Sequence, residues 1–252
     1  MRPSVDVVIP VYNEERALPP CIERLSAFLR EKIENPWRVL VADNGSIDRT
    51  LAVCQELAGK YPEVAYIHLD QKGRGRALKR AWLESEADIV SYMDVDLSTS
   101  LEHFPPLVRA LDEEGYDVAI GSRLMPESEV GRSFKRELTS RGYNLLIKLL
   151  FWTRIHDAQC GFKALTRRAA RALVPLVVNN NWFFDTELLL IAERRGFRVK
   201  EVPVRWAEDP DTRVKVLSTA WEDVKGLLRL RFGGIPQIAP PGQAGPPSSN
   251  HP

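Results

Sequence analysis

Two carboxylates two residues apart, Asp94 and Asp96 in YMDVDLST, directly follow a short apolar run at 89–93. In an extended segment such a pair points to one side of the backbone and repels itself unless a cation lies between. A hard divalent ion, Mg2+ or Mn2+, is held in this way by one or two carboxylates together with a substrate's phosphate oxygens. Alone, Asp-x-Asp serves equally well as a turn or cap. Here three further polar clusters follow apolar runs. PVYNEE comes first. ADNGSIDRT follows, with Asp43, whose carboxylate can accept hydrogen bonds from a nucleobase; its plainer reading is a turn at Gly45 capped by Ser46 or Asp48. The third is Lys72-Gly73-Arg74-Gly75-Arg76, where two glycines admit a close ligand and the cations at a helix start favour a pyrophosphate. The plainer reading there is a solvated basic helix start.

These clusters need a scaffold that brings them to one edge. Apolar runs at 5–10, 37–42, 64–69, 89–93 and 116–121 read as strands. They alternate with helical patterns at 14–32, 50–60, 76–85 and 101–114. Repeated strand–helix units predict an α/β fold, a mostly parallel twisted sheet flanked by helices, with ligands at the strands' carboxyl ends near a topological switch point. A longer helix at 134–152 groups Phe134, Leu138, Leu145, Leu149 and Trp152 in one stripe amid cations, and Phe151 and Trp152 stand out as lipid anchors; the alternative is that this helix is core. Helix 184–195, strand 198–204 and an amphipathic helix at about 217–230, with Leu217, Trp221, Val224 and Leu228 on one face, complete a domain over 1–235. The Pro-, Gly- and Ser-rich stretch 236–252 reads as a disordered tail.

Composition narrows the function. In 252 residues, 35 Lys and Arg against 34 Asp and Glu give a net charge of +1, which argues against a protein built to bind nucleic acid. Cys21, Cys54 and Cys160 are too far apart for a metal cluster or a disulfide frame. Acidic residues interrupt the first apolar run, unlike a signal peptide, and no apolar run approaches the ~20 residues that span a bilayer. The first strand lacks the Gly-rich turn of a dinucleotide site, and that of a sugar nucleotidyltransferase.

In series, IPVYNEE, ADNGSIDRT, KGRGRALKRA, YMDVDLST and IGSR resemble the inverting family-two glycosyltransferases of the GT-A fold. HDAQCGFKALTR, WFFDTELLLIAERRG and EVPVRW narrow the resemblance to the polyprenyl-phosphate sugar synthases, most of all dolichyl-phosphate glucosyltransferases, over residues 4–231. The resemblance implies transfer of a hexose from a nucleotide-sugar donor, UDP-glucose before GDP-mannose, to a polyprenyl or dolichyl monophosphate, with Mg2+ or Mn2+ on Asp94 and Asp96. It implies a nucleoside pocket of Pro10, Tyr12, Glu14 and Asp43, with Lys72, Gly73 and Arg74 over base or pyrophosphate. Arg123, with Arg132, Arg136 or Arg141, would receive the acceptor phosphate. Gln159 and Lys163 belong to an acceptor loop, Asp185 and Glu187 lie near the reaction centre, and Arg213 and Lys215 match a basic closing segment on the donor side. Ser98-Thr99 departs from relatives that carry Gln or Asp there, which leaves a third metal ligand open. Amphipathic interfacial helices place the expected enzyme on the cytoplasmic face of a membrane, alone or with a membrane-embedded partner. A soluble family-two enzyme acting on a hydroxyl, with Asp185 or Glu187 as base, and a non-enzymatic subunit are the competing readings.

Overall fold

The computed structural model describes residues 2–131, 134–207 and 216–237, except the side chains of 134–136 and 216–220. Strands β1 (Val5–Val11), β2 (Trp37–Asn44), β3 (Val64–Leu69) and β4 (Ile89–Met93) alternate with helices α1 (Leu18–Lys32), α2 (Thr50–Lys60) and α3 (Arg74–Glu84). A 3-10 turn at Leu101–His103 leads into α4 (Phe104–Asp112), followed by β5 (Val118–Ser122), β6 (Glu129–Gly131) and α5 (Phe134–Phe151). Then come β7 (Phe162–Thr166), α6 (Arg167–Leu173), α7 (Phe184–Arg194), β8 (Val199–Pro203), β9 (Arg205–Ala207) and α8 (Val216–Gly233).

Seven strands form one sheet in the order β3-β2-β1-β4-β7-β5-β8, and β6 pairs with β9 beside it. The chain runs outward from β1 to β3 and returns to β4 on the other side of β1, so a switch point lies between β1 and β4. All neighbours in the large sheet are parallel except β7, which runs antiparallel to both β4 and β5. The sequence reading missed β7. Its FKALT carries a charge at its second position, yet Lys163 is fully buried there, and no local pattern marks a charged residue as core.

Alternation along the strands builds two cores. Val5, Val7, Ile9 and Val11 face α1, α2 and α4, while Val8 faces α3 and the later helices. Helix α1 begins at Leu18, not at residue 14, because Glu14 N–H donates to Thr50 Oγ1 at 2.8 Å and holds 14–17 as a loop. The two late helices turn their apolar stripes outward. Leu138, Leu145, Leu149 and Trp152 are exposed, Trp152 by 88%, whereas Phe151 is buried and is no lipid anchor. On α8 the packed face is Asp223, Gly226, Leu227 and Leu230, and Trp221 and Leu228 face out. Residues 238–252, most of the expected tail, lie outside the described residues.

Candidate active site

Register brings the predicted clusters together. Val11 pairs with Asp43 across β1 and β2, and Met93 pairs with Phe162 across β4 and β7. Because β7 runs backwards, the loop that enters it, 157–161, arrives at the same edge as the carboxyl ends of β1, β2, β4 and β5. That loop reaches four elements in turn. Asp157 grips Arg123 at the end of β5, Gln159 Nε2 donates to Asp223 of α8 at 2.8 Å, the Cys160 carbonyl accepts from Lys163, and Gly161 lies against Asp94. A Cβ on Gly161 would fall 1.8 Å from Asp94 Oδ2.

Asp94 and Asp96 occupy a turn after β4, not an extended segment; Leu97 takes φ 49° and Ser98 N–H donates to Asp96 Oδ1 at 2.9 Å. The following residues are clamped to β9, where Ser100 N–H donates to the Arg205 carbonyl at 2.9 Å. Asp94 is 43% exposed and its Oδ1 accepts from Arg74 Nη2 at 2.8 Å. The other arm of the same guanidinium, Nη1, donates to Asp185 Oδ2 at 2.7 Å. Its plane lies between Tyr92 and Trp182, with Cζ 4.7 Å and 4.9 Å from the ring centroids. Trp82 supports this group from below, its ring 5.8 Å from both Tyr92 and Phe184. The start of α3 can come this close because residue 75 is glycine; a Cβ there would meet Phe184 Cβ at 2.8 Å and the Asn180 carbonyl carbon at 2.9 Å.

Asp185 is the buried anion of the site. Tyr92 Oη donates to its Oδ1 at 2.5 Å, and Lys163 Nζ lies 3.1 Å away. Burial alone would raise its pKa, but Lys163 and Arg74 outweigh that and hold it below the usual carboxylate range. A carboxylate so neutralised is a poor proton acceptor, so its geometry suits orienting Arg74 rather than acting as a base. Glu187, expected near the reaction centre, has a separate set of partners from Asp185. Fully buried, it accepts from Val178 and Asn179 N–H at 3.1 and 2.9 Å and pairs with Arg229 of α8 at 2.8 Å, which secures the 178–181 loop. Lys163, expected to face an acceptor, is likewise enclosed as a partner of Asp185.

Arg123 makes a two-pronged pair with Asp157 at 2.7 and 2.9 Å and lies 5.7 Å from the Trp206 ring. Burial alone would raise the Asp157 pKa; Arg123 holds it down. Asp157 was given no role by the sequence, where it stands only as the acid of HDAQCG, between His156 and Ala158. Asp43 departs from expectation more sharply. Strand β2 continues to Asn44, so Asp43 is buried with Oδ1 accepting from Ser46 N–H at 3.1 Å and Oδ2 2.7 Å from His68 Nδ1 across β3. What reaches solvent from that pair is the His68 ring. Asn44, also missed, ties the loops: Nδ2 donates to the Val11 carbonyl at 2.6 Å, and Oδ1 accepts from Gly73 N–H at 3.1 Å. Lys72 Nζ sits 3.5 Å over the Tyr12 ring, which joins the first and third clusters. Pro10 lies at the buried end of β1 beside Ala42, and Glu14 in the loop held by Thr50. Arg141 is exposed on α5, paired with Glu137. Arg132, Arg213, Lys215 and the Arg136 side chain lie outside the described residues.

The donor set fits a divalent ion completed by substrate. Arg74 already stands as a cation against Asp94, and among the described residues no third His, Cys, Asp or Glu joins a closed protein cage. Two carboxylates with open positions are what an ion that shares phosphate oxygens requires.

One buried acid remains without a counter-ion among the described residues. Asp223 keeps Oδ1 without a hydrogen-bond partner, and burial, with Glu222 and Asp185 nearby, pushes its pKa up to about 7. A carboxyl that holds its proton more tightly when folded stabilises the fold most at low pH, and that contribution fades as pH rises toward 7. Wild-type melting temperature should therefore fall between about pH 4 and 7, by a stability change of at most about 4 kcal/mol, with no further contribution from this group above that range. Asp223→Asn should flatten that dependence in thermal melts; an equally steep fall in the variant would refute the assignment.

Residues 6–174 match Glycosyl transferase family 2. Glycosyltransferase AglD of Haloferax volcanii is 40% identical over 229 residues, 89% of this chain and 36% of that protein. Dolichyl-phosphate beta-glucosyltransferase ALG5C of Trichomonas vaginalis is 32% identical over 220 residues, 83% of this chain and 65% of that one. The chain thus spans about a third of the first relative's length and just under two thirds of the second's. Glucosyl-3-phosphoglycerate synthase of Mycobacterium tuberculosis, solved with Mn2+, UDP-glucose and phosphoglyceric acid, superposes with a TM-score of 0.69 at 20% identity, covering 93% of this chain and 81% of that one. The chain belongs to glycosyl transferase family 2 and has the GT-A fold, with dolichyl-phosphate beta-glucosyltransferases among its relatives.

Proposed function

We propose that this protein transfers a glucosyl group from UDP-glucose to a dolichyl or other polyprenyl monophosphate, with inversion at the anomeric carbon. The observation that carries the reading is the meeting of Asp94, Arg74 and the 157–161 loop at the switch-point edge of the sheet, and the relatives named as dolichyl-phosphate beta-glucosyltransferases support the choice of substrates. A Mg2+ or Mn2+ ion on Asp94 and Asp96 would supply Lewis-acid neutralisation of the departing diphosphate. Lys72 and Arg74 add fixed positive charge on the donor side. The attacking oxygen of the lipid phosphate is already anionic, so it bonds to the anomeric carbon as the bond to UDP breaks, and no strong base is required. The neutralised state of Asp185 favours this over attack by a sugar hydroxyl. Arg123, fixed by its two-pronged pair with Asp157, is the described cation assigned to the acceptor phosphate.

The exposed apolar residues of α5 and α8 support a peripheral position on a membrane, on its cytoplasmic face where nucleotide sugars are available. Among the described residues no helix is long and apolar enough to cross a bilayer. The test is a panel of radiolabelled nucleotide sugars assayed with one polyprenyl phosphate and with a soluble glycan acceptor. UDP-glucose with the lipid should be the productive pair, and Asp96→Ala should lower its rate by at least about 100-fold. Transfer to the glycan alone, or full activity in the variant, would reject the reading.

A further inference from the structure

The two arms of Arg74 are not equivalent. Asp185, on the first arm, is almost fully buried and is fixed from behind by Tyr92 and Lys163. Asp94, on the second, is 43% exposed at the end of a turn. The guanidinium itself is 10% exposed between two rings. An exchange of partners therefore costs little at Asp94 and much at Asp185.

We propose that Arg74 is the resident counter-ion of Asp94 and gives it up only to the donor's diphosphate, so that the divalent ion and the nucleotide bind as one unit. This rests on the reading of Asp94 as a metal ligand. A divalent ion arriving alone meets a fixed positive charge whose Nη2 lies 2.8 Å from one oxygen of that carboxylate, and like charges at that range oppose its entry. A diphosphate changes the balance, because it offers the freed Nη2 a new anion while the Asp185 arm stays in place. Arginine suits the task because its rigid fork spans two acceptors, whereas a lysine ammonium is a single point charge. The same exchange leaves Arg74 bonded to the leaving group, where negative charge develops.

The test is Mn2+ binding to the full chain, read by electron paramagnetic resonance of free Mn2+, with and without UDP. In the wild type UDP should tighten Mn2+ binding at least about tenfold, and Mn2+ should tighten UDP binding by the same factor. In Arg74→Gln, Mn2+ binding without UDP should tighten by about tenfold, and the enhancement by UDP should shrink. Arg74→Lys keeps the charge and should stay near the wild type without UDP; a gain equal to that of the glutamine variant would show that packing and not charge is responsible, and would overturn the proposal. If Arg74→Gln does not fold, Trp182→Ala removes one wall of the clamp from an exposed position and should also tighten Mn2+ binding. UDP-enhanced Mn2+ binding in the wild type with no gain in the variants overturns this inference alone. A wild type that binds neither Mn2+ nor UDP overturns the metal-site reading with it.

Discussion

Gly161→Ala should cost about 100- to 1,000-fold in transfer rate while changing stability by less than about 1 kcal/mol. The added methyl would fall 1.8 Å from Asp94 Oδ2, and the Asp94 carboxyl carbon is next at 2.6 Å. Both atoms belong to a side chain with solvent on its other side, so the carboxylate swings away and the backbone stays. The fold survives, but the ion's ligand leaves its place. A double-mutant cycle with Asp94→Ala checks this. If the glycine acts through the carboxylate, the alanine at 161 adds little once Asp94 is gone. Full additivity would show that Gly161 matters for another reason, and a loss of several kcal/mol in urea denaturation would place its role in folding.

Asp185→Asn should destabilise the protein by about 3–5 kcal/mol, because it leaves the enclosed Lys163 ammonium and the clamped Arg74 guanidinium without their shared anion. The amide keeps the shape but supplies no charge, and the Tyr92 hydroxyl loses its strongest acceptor. Urea denaturation measures the loss. Transfer should fall as well, since Arg74 is no longer anchored, but the acidic limb of the pH–rate profile should keep its midpoint. A variant of wild-type stability whose acidic limb has vanished would return Asp185 to the role of base and would favour a hydroxyl acceptor.

Of these two residues the sequence singled out Asp185 and left its role open, whereas Gly161 entered only within the HDAQCGFKALTR segment. The strand-end clusters were legible because each lies where an apolar run stops, and strand–helix alternation places such ends along one edge. The family motifs, and the exposed stripe of Leu138, Leu145, Leu149 and Trp152, were legible for similar local reasons. Other features were not legible, because burial is decided by neighbours that are distant in sequence. Asp43 is buried because β2 runs two residues further than expected and sets it opposite His68. Glu187 is enclosed because α8 brings Arg229 over it. The face of α8 inverted because Asp223 and Gly226 pack inward; a Cβ on Gly226 would lie 2.3 Å from the Phe183 ring, so a larger residue could not.

From the sequence alone came the α/β alternation, the family, the acidic pair behind β4 and the basic glycine loop before α3, all properties of contiguous residues whose chemistry and period are local. The tertiary structure decided that β7 inserts backwards between β4 and β5, that its entry loop therefore meets Asp94, and that Asp94 and Asp185 share one guanidinium. Strand partners and shared counter-ions are set by which surfaces exclude water together, and that depends on the whole chain at once.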